Sequence, residues 1–228
     1  MNTFGTVKIL VELNRLFYME EVMTTETKLT AILDQSEKLF LKFGIKSLTM
    51  DDIANELKMS KKTLYQFVSD KQDLVAKTMQ NYCTTDKDIV LEICGRSKDA
   101  IDELLEIIKY VKQRLAVFHP SIMYDLEKYY PEAWDSLHKH QKEFIYDIVR
   151  DNIVRGKKED LYKDDVNEEI IARIYANRLD VTLDRMDKVM GKYDFITIYT
   201  EMMKYHIRGI ASDKGNKVLN LKLKSLIS

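Results

Sequence analysis

Chain breakers are scarce, with only seven glycines and two prolines in 228 residues. Apolar residues recur every three or four positions and strand-like alternation is rare, so the chain reads as almost wholly helical. Cys83 and Cys94 are too few and too far apart, with no histidine nearby, to form a metal knuckle. They read as reduced, inert thiols, which points to the cytoplasm. No apolar run approaches the roughly 20 residues that span a bilayer, so no membrane segment is expected. There is no glycine-rich phosphate loop, no nucleophile elbow and no cluster of His, Asp and Glu at metal spacing. His138 and His140 project from diverging helix faces and are unsuited to sharing one ion. No catalytic residue, cofactor or metal is therefore expected. The formal net charge of −1 lacks the overall basic excess of many nucleic-acid binders, so any such surface has to be local.

A local basic surface is present at residues 48–71. Thr49, followed three places later by Asp52, forms a capping-box pattern that opens a helix through Leu57. Ser60 opens a second helix after a turn too tight for anything but a steep crossing. Ile53, Ala54, Leu57, Leu64 and Val68 fall where the inner faces would meet. Lys61, Lys62, Thr63 and Gln66 are left on the outer side, all able to donate hydrogen bonds to phosphates or base edges. Gln66 could pair bidentately with adenine in the major groove or contact only phosphate or water. Lys46, Lys58 and Lys71 add to the cluster, and the second helix carries no acid.

The segment Ser60 to Leu74 resembles the recognition segment of tetracycline-repressor (TetR/AcrR-like) transcriptional regulators. The likeness extends back through Leu39 to Thr49 and covers roughly residues 24 to 80. It implies DNA contacts at Thr49, Lys62, Thr63, Tyr65 and Lys71; Ser60, Lys61 and Gln66 complete the candidate surface. Two positions depart from the family pattern. Lys58 stands where a glycine is usual, so a differently shaped turn is expected, because a left-handed backbone costs a non-glycine residue about 1 kcal/mol. Phe67 has no ring atom able to bind phosphate, so no DNA contact is carried over to it.

The expected architecture is all-α: an N-terminal three-helix helix-turn-helix domain over residues 24–75, then a larger helical ligand-binding and dimerisation domain over 76–228. Residues 1–23 form an extension. Phe4 to Val22 is helix-like but broken by Lys8, Glu12, Arg15, Glu20 and Glu21, and does not read as a signal peptide. The extension is either an upstream translation artefact or a genuine helix covering the DNA-binding domain. Leu29 to Phe43 forms a helical stripe stopped at Gly44, and Ser69 with Gln72 suggests the cap of the next helix. A long amphipathic helix from Ile101 stops at Pro120, and another runs from Pro131 to Gly156. Asp165 with Glu168 is expected to open a helix to Gly191, and Asp194 the last strong one. From Asp213 a short apolar and basic tail follows.

In the second domain, Tyr110, Phe118, Tyr124 and Trp134 are candidates for a hydrophobic pocket or for plain core. His138 and Gln141 interrupt an apolar face, where a buried polar group needs a partner: a ligand or a neighbouring helix. The wide band of Phe195, Tyr199, Met202, Met203, His206, Ile207 and Ile210, with Val181 on the preceding helix, reads as a dimer interface or an internal core face. The resemblance favours a four-helix bundle across a two-fold axis. Two recognition helices would then grip half-sites about one turn of DNA apart. The expected function is a sequence-specific, ligand-responsive repressor acting as a homodimer on a pseudo-palindromic operator, with double-stranded DNA and a small hydrophobic effector as partners. The alternative is a helical protein-binding adaptor that kept the fold without DNA binding.

Overall fold

The computed structural model describes residues 25–117, 119, 121–177 and 193–227, leaving aside the side chains of Gln141, Phe195 and residues 224–227. Among the described residues every regular element is helical, and a single antiparallel bridge joins Tyr162 to Ala211. Helix α1 covers residues 25–43. It is followed by α2 (Met50–Glu56), α3 (Lys61–Leu64), the long α4 (Lys71–Arg96), α5 (Ala100–Leu115), α6 (Ile122–Tyr129) and α7 (Pro131–Lys139). A π-helical segment (His140–Ile145) joins α7 to α8 (Tyr146–Lys158) without a break. Then come α9 (residues 168–177), α10 (Phe195–Ile210) and α11 (Asp213–Ile227). The chain is thus all-α, with an N-terminal helix-turn-helix followed by a larger helical domain.

Short polar side chains set most of the helix starts. Thr49, Ser60, Asp70, Asp99 and Asp194 each accept the amide proton of the third residue of their helix. Each satisfies a donor that helix geometry leaves unpaired. Pro131 occupies the first turn of α7, where its missing N–H costs nothing. Gly44, at φ 78, ends α1, and a Cβ there would lie 2.7 Å from Ser121 Oγ.

Three sequence expectations need correction, and one segment that the sequence left open acquires a structure. The cap of α4 is Asp70, not Ser69: Asp70 accepts Asp73 N–H at 2.9 Å, while Asp73 accepts Ser69 N–H at 2.8 Å. Gly156 lies inside α8 rather than stopping it, because the Tyr162 ring covers it; a Cβ would come within 2.0 Å of that ring. The cap of α9 is Asn167, whose side chain accepts Ile170 N–H at 2.9 Å, and not Asp165. The tail from Asp213 is helix α11, held on α5 by Leu219, which is fully buried, and by Lys222, bonded to Asp99 at 2.8 Å and Asp102 at 2.9 Å.

Two apolar clusters form the core. The first joins α1 to α4 through Ile32, Phe40, Ile53, Leu64, Val68 and Leu74, and extends to Ile122, Leu126, Ala133 and Leu137 of α6 and α7. The second gathers α5, α8, α9, α10 and α11 around Ile101, Leu105, Ile153, Tyr162, Met203 and Ile207. The expected division at residue 75 falls inside α4, a continuous rod that serves both parts. At the far end of the second cluster Asn152, 2% exposed, donates to Ala100 O and Glu103 Oε1, both at 2.9 Å, and accepts from Tyr162 OH at 3.0 Å. Arg155 adds a 2.9 Å bond to Glu103, so this buried polar group is fully paired.

Candidate nucleic-acid interface

Helices α2 and α3 cross with Ile53, Ala54, Leu64 and Val68 buried between them and Leu57 half-buried at the edge. The turn between them places Lys58 at φ 54, with Met59 N–H bonded to Ala54 O at 3.0 Å. The left-handed conformation is therefore kept despite the lysine, correcting the expectation of a differently shaped turn. At the start of α2 the capping box is complete. Thr49 Oγ1 accepts Asp52 N–H at 3.2 Å, and Asp52 Oδ2 accepts Thr49 N–H at 2.8 Å. The Thr49 hydroxyl also donates to Asp52 Oδ2 at 2.6 Å, and this bond, with the one from Thr49 N–H, holds the Asp52 carboxyl below the usual carboxylate range.

Ser60 caps α3, accepting Thr63 N–H at 3.0 Å and sharing a 2.7 Å hydroxyl contact with Thr63 Oγ1. The α-helix ends at Leu64 and continues as a tight turn, with Gln66 N–H on Thr63 O and Phe67 N–H on Leu64 O. Leu64 and Val68 must both point inward, and Asp70 caps a new helix, which leaves room for no more. Lys61, Lys62, Tyr65 and Gln66 are exposed and Thr63 is half-buried, while Phe67 packs against the core. Lys61 is not free: its ammonium pairs with Asp51 at 3.0 Å, which ties the first turn of α3 to the first turn of α2 and holds the Lys61 pKa above its usual value.

Lys71 behaves differently from its neighbours. Its Nζ turns inward and donates to Ile45 O at 2.8 Å and to Leu48 O. Burial pushes its pKa down, against the pull of Asp125 and Asp52. The first turn of α4 thereby grips the loop that leads into Thr49. Helix α6 grips the same loop from behind, since buried Asp125 accepts Lys46 N–H at 3.0 Å.

Behind this surface lies a cavity of about 180 Å³, walled by α1, α4, α5, α6, the π segment and Tyr199 of α10. Its lining is largely apolar, from Phe40 and Leu41 of α1 to Ile122, Met123 and Leu126 of α6. Polar groups collect at one side. Arg114 pairs with Glu37 of α1 and stacks 4.7 Å from the centre of the Tyr82 ring. Burial opposes the Arg114 charge, and Tyr82 and Glu37 outweigh it, raising its pKa. Asp86 accepts Tyr110 OH at 2.9 Å and stands 2.9 Å from His140 Nε2. Burial, with Asp86 nearby, pushes the phenols of Tyr82 and Tyr110 well above the usual tyrosine range, so both are neutral donors. Thr78, 1% exposed on the cavity wall, has a hydroxyl with no hydrogen-bond partner among the described residues. Burial also lifts the Cys83 and Cys94 thiols to about 12 and about 11, leaving them protonated.

Of the expected pocket residues, Tyr110 lines this cavity. Tyr124 does not: it is 52% exposed and bonded to Lys128, because α6 turns its other face inward. Trp134 and His138 pack against each other with their rings tilted by 45° and ring centres 4.2 Å apart, outside the cavity wall. Phe118 and the Gln141 side chain lie outside the described residues. Glu37, Thr78, Tyr82, Asp86, Arg114 and His140 were missed. A signal existed: Tyr82 with Asp86, and Tyr110 with Arg114, are polar pairs four residues apart on inward helix faces.

The expected interface band also divides. Tyr199, Met203, Ile207 and Ile210 are buried in the protomer's own second cluster, because α10 lays that stripe against α5. His206 packs on Tyr175 of α9 with ring centres 5.0 Å apart, and Met202 is half-buried. The apolar groups left on the outside are others: Ile170 and Ile174 on α9, 55% and 56% exposed, and Tyr205 on α10, 81% exposed. Val181 and the Phe195 side chain lie outside the described residues.

Among the described residues no group of His, Cys, Asp and Glu could hold a metal ion, and no helix is long and apolar enough to cross a membrane. Residues 32–78 match the model of bacterial regulatory proteins of the tetR family. An uncharacterized HTH-type transcriptional regulator of Bacillus subtilis, YvaF, is 22% identical over 184 residues, covering 80% of this chain and 95% of that protein. The crystal structure of a TetR-family transcriptional regulator from Agrobacterium tumefaciens superposes with a TM-score of 0.66 at 15% identity, over 82% of this chain and all of that one. A transcriptional regulator from Saccharomonospora viridis in complex with choline superposes with a TM-score of 0.63 at 17% identity, over 82% of this chain and 99% of that one.

Proposed function

We infer that the chain, whose residues 32–78 match the tetR family of bacterial regulatory proteins, is a cytoplasmic, ligand-responsive repressor of that kind that binds a pseudo-palindromic operator as a homodimer. One observation carries the DNA-binding part. The helix-turn-helix presents Lys61, Lys62, Tyr65 and Gln66 outward, beside capped helix starts at Thr49 and Ser60. Lys62, with Thr49, Ser60 and Tyr65, meets the phosphate backbone, and Thr63 and Gln66 face base edges in the major groove. Lys61 contributes once its pairing with Asp51 yields to a phosphate. Lys71 acts from within, by fixing the loop before Thr49.

The division into a DNA-binding part to residue 75 and a regulatory part beyond it describes function rather than packing. Exposed Ile170, Ile174 and Tyr205 supply an apolar surface for the two-fold partner. The cavity supports a small effector with an apolar body and one or two polar groups, for which Thr78, Tyr110 and Arg114 are the available partners. That a neighbour of this fold holds choline agrees with a small-molecule site. Such an effector would touch α1, α4 and α6 together, and the last two hold the loop at 45–48 through Lys71 and Asp125. It shifts the DNA-binding state only by the difference of its affinities for the two packings.

The test is selection of bound sequences from a random duplex library at low and near-physiological salt, using protein of determined oligomeric state. An enriched pseudo-palindrome is the expected result. Absence of enrichment in both salts would overturn the reading and favour the protein-binding adaptor.

A further inference from the structure

Helix α6 and the loop before α2 bring together cations and phenols that the function above leaves unused. Lys46 Nζ, from the loop before α2, donates to Tyr129 OH at 2.9 Å and stands 4.4 Å over the centre of that ring. Lys128 Nζ donates to Tyr124 OH at 2.5 Å and lies 5.0 Å from the Tyr124 ring centre and 5.5 Å from that of Tyr129. The two rings meet edge to face at 6.3 Å. Two ammonium groups and two hydroxyls are thus gathered on an exposed surface. Around Lys46 stand the two neutral phenols and the charged Lys128, which repels it; among the described residues no carboxylate pairs with either ammonium. The Lys46 ammonium, with Lys128 beside it, holds the Tyr129 phenol below the usual tyrosine range. Like charges held together with no carboxylate paired to either ammonium are the electrostatic complement of an external anion.

The location says which anion. Lys46 precedes Thr49 by three residues, so the two are separated by at most about 11 Å. Gln72, in the first turn of α4, donates to Tyr129 O at 3.0 Å. The cluster therefore borders the starts of both α2 and α4, and continues the candidate DNA surface towards α6. We propose that Lys46, Lys128 and the hydroxyls of Tyr124 and Tyr129 bind a backbone phosphate of the operator, flanking the bases read by α3, so that α6 itself touches DNA. The inference rests on the DNA-binding reading above. It also gives α6 two duties, because Ile122, Met123 and Leu126 on its opposite side wall the cavity. An effector displacing α6 would act on a phosphate contact directly.

The experiment compares wild type with Lys46→Ala/Lys128→Ala on the duplex enriched by selection, measuring affinity across a salt series. Both side chains are exposed, and thermal melts verify that the variant folds. Each lost phosphate contact lowers the slope of log affinity against log salt by about 0.9. The double variant is expected to lose about one such increment, to bind about tenfold or more weakly, and to keep its base preference; Lys109→Ala, on exposed α5 surface, leaves the slope unchanged. Trimming base pairs from the flanks should weaken wild type and leave the double variant nearly unaffected. Wild-type binding with an equal slope in the double variant overturns this proposal alone. No duplex binding by wild type at any salt overturns the DNA-binding reading and this proposal with it.

Discussion

The ammonium of Lys71 donates a 2.8 Å hydrogen bond to the carbonyl oxygen of Ile45, with Leu48 O as its second acceptor. A lysine so engaged is a structural clamp between α4 and the loop entering α2. Lys71→Ala should cost about 1–2 kcal/mol of stability, since hydrogen bonds from a charged donor exceed neutral ones. It should weaken binding to every duplex with the salt slope intact. Melting curves and a salt titration check this, and an unchanged melt with a slope smaller by about one would return Lys71 to the phosphate contacts.

Lys62 and Gln66 separate the two components of recognition. Both are exposed beyond the Ser60 cap. Lys62→Ala should lower affinity for all sequences and reduce the salt slope by about 0.9. Gln66→Ala should cost about 1–3 kcal/mol at one base pair and relax preference there alone. Repeating the library selection with each variant tells them apart; a uniform loss for Gln66→Ala would defeat base readout.

Arg114 and Glu37 join α5 to α1 across one wall of the cavity. Removing one partner strands the other in a half-buried site. Arg114→Ala and Glu37→Gln should therefore each destabilise the fold by about 1–3 kcal/mol, the lower end reflecting partial solvent access. In a double-mutant cycle the losses should fall short of additivity, because both remove the same bond. Additive losses in thermal or urea unfolding would show that the pair contributes no coupling.

Ile170 and Ile174 lie one turn apart on the outer face of α9. Ile174→Asp places a charge on that surface and leaves the protomer's own core untouched. Sedimentation should show a dimer for wild type and a monomer for the variant, with operator affinity reduced because one half-site is gripped instead of two. A dimeric variant would place the interface elsewhere.

The capping box makes the start of α2 acid-sensitive. Because Thr49 holds the Asp52 carboxyl below its unfolded value, the stabilisation is present above the unfolded pKa and lost as pH falls through the folded one. Wild type should lose stability progressively below about pH 4, and Asp52→Asn should flatten its share of that slope. Thr49→Ala removes the cap itself and should cost about 1 kcal/mol near neutral pH. Thermal melts from pH 3 to 7 check both.

Local chemistry was the legible part of the sequence. Thr49, Ser60 and Asp194 were readable as caps, and Ile53, Ala54, Leu64 and Val68 as the buried faces, because each depends on residues within one turn. The Ser69–Gln72 and Asp70–Asp73 patterns are equally good capping signals one residue apart, so the start of α4 was read one position early. Gly156 looked like a helix stop because nothing near it announces the Tyr162 ring that needs its missing side chain. Periodicity showed that α10 has a wide apolar band, but core and interface use the same residues; the packing on α5 divides them. The inward turn of Lys71 and the exposure of Tyr124 depend on tertiary contacts that no local pattern encodes.

The π segment at His140–Ile145 has a consequence for how this chain tolerates gain or loss of a residue. Leu137 of α7 and Val149 of α8 are both buried, twelve positions apart. In an unbroken α-helix they would be out of phase by about 120°, and a π turn, spending one more residue than an α turn, brings that to about 20°. The segment absorbs one surplus residue. Deleting a single residue there would leave a plain helix with both faces still inward, whereas the same deletion within α8 would rotate Val149 or Ile153 away from α5.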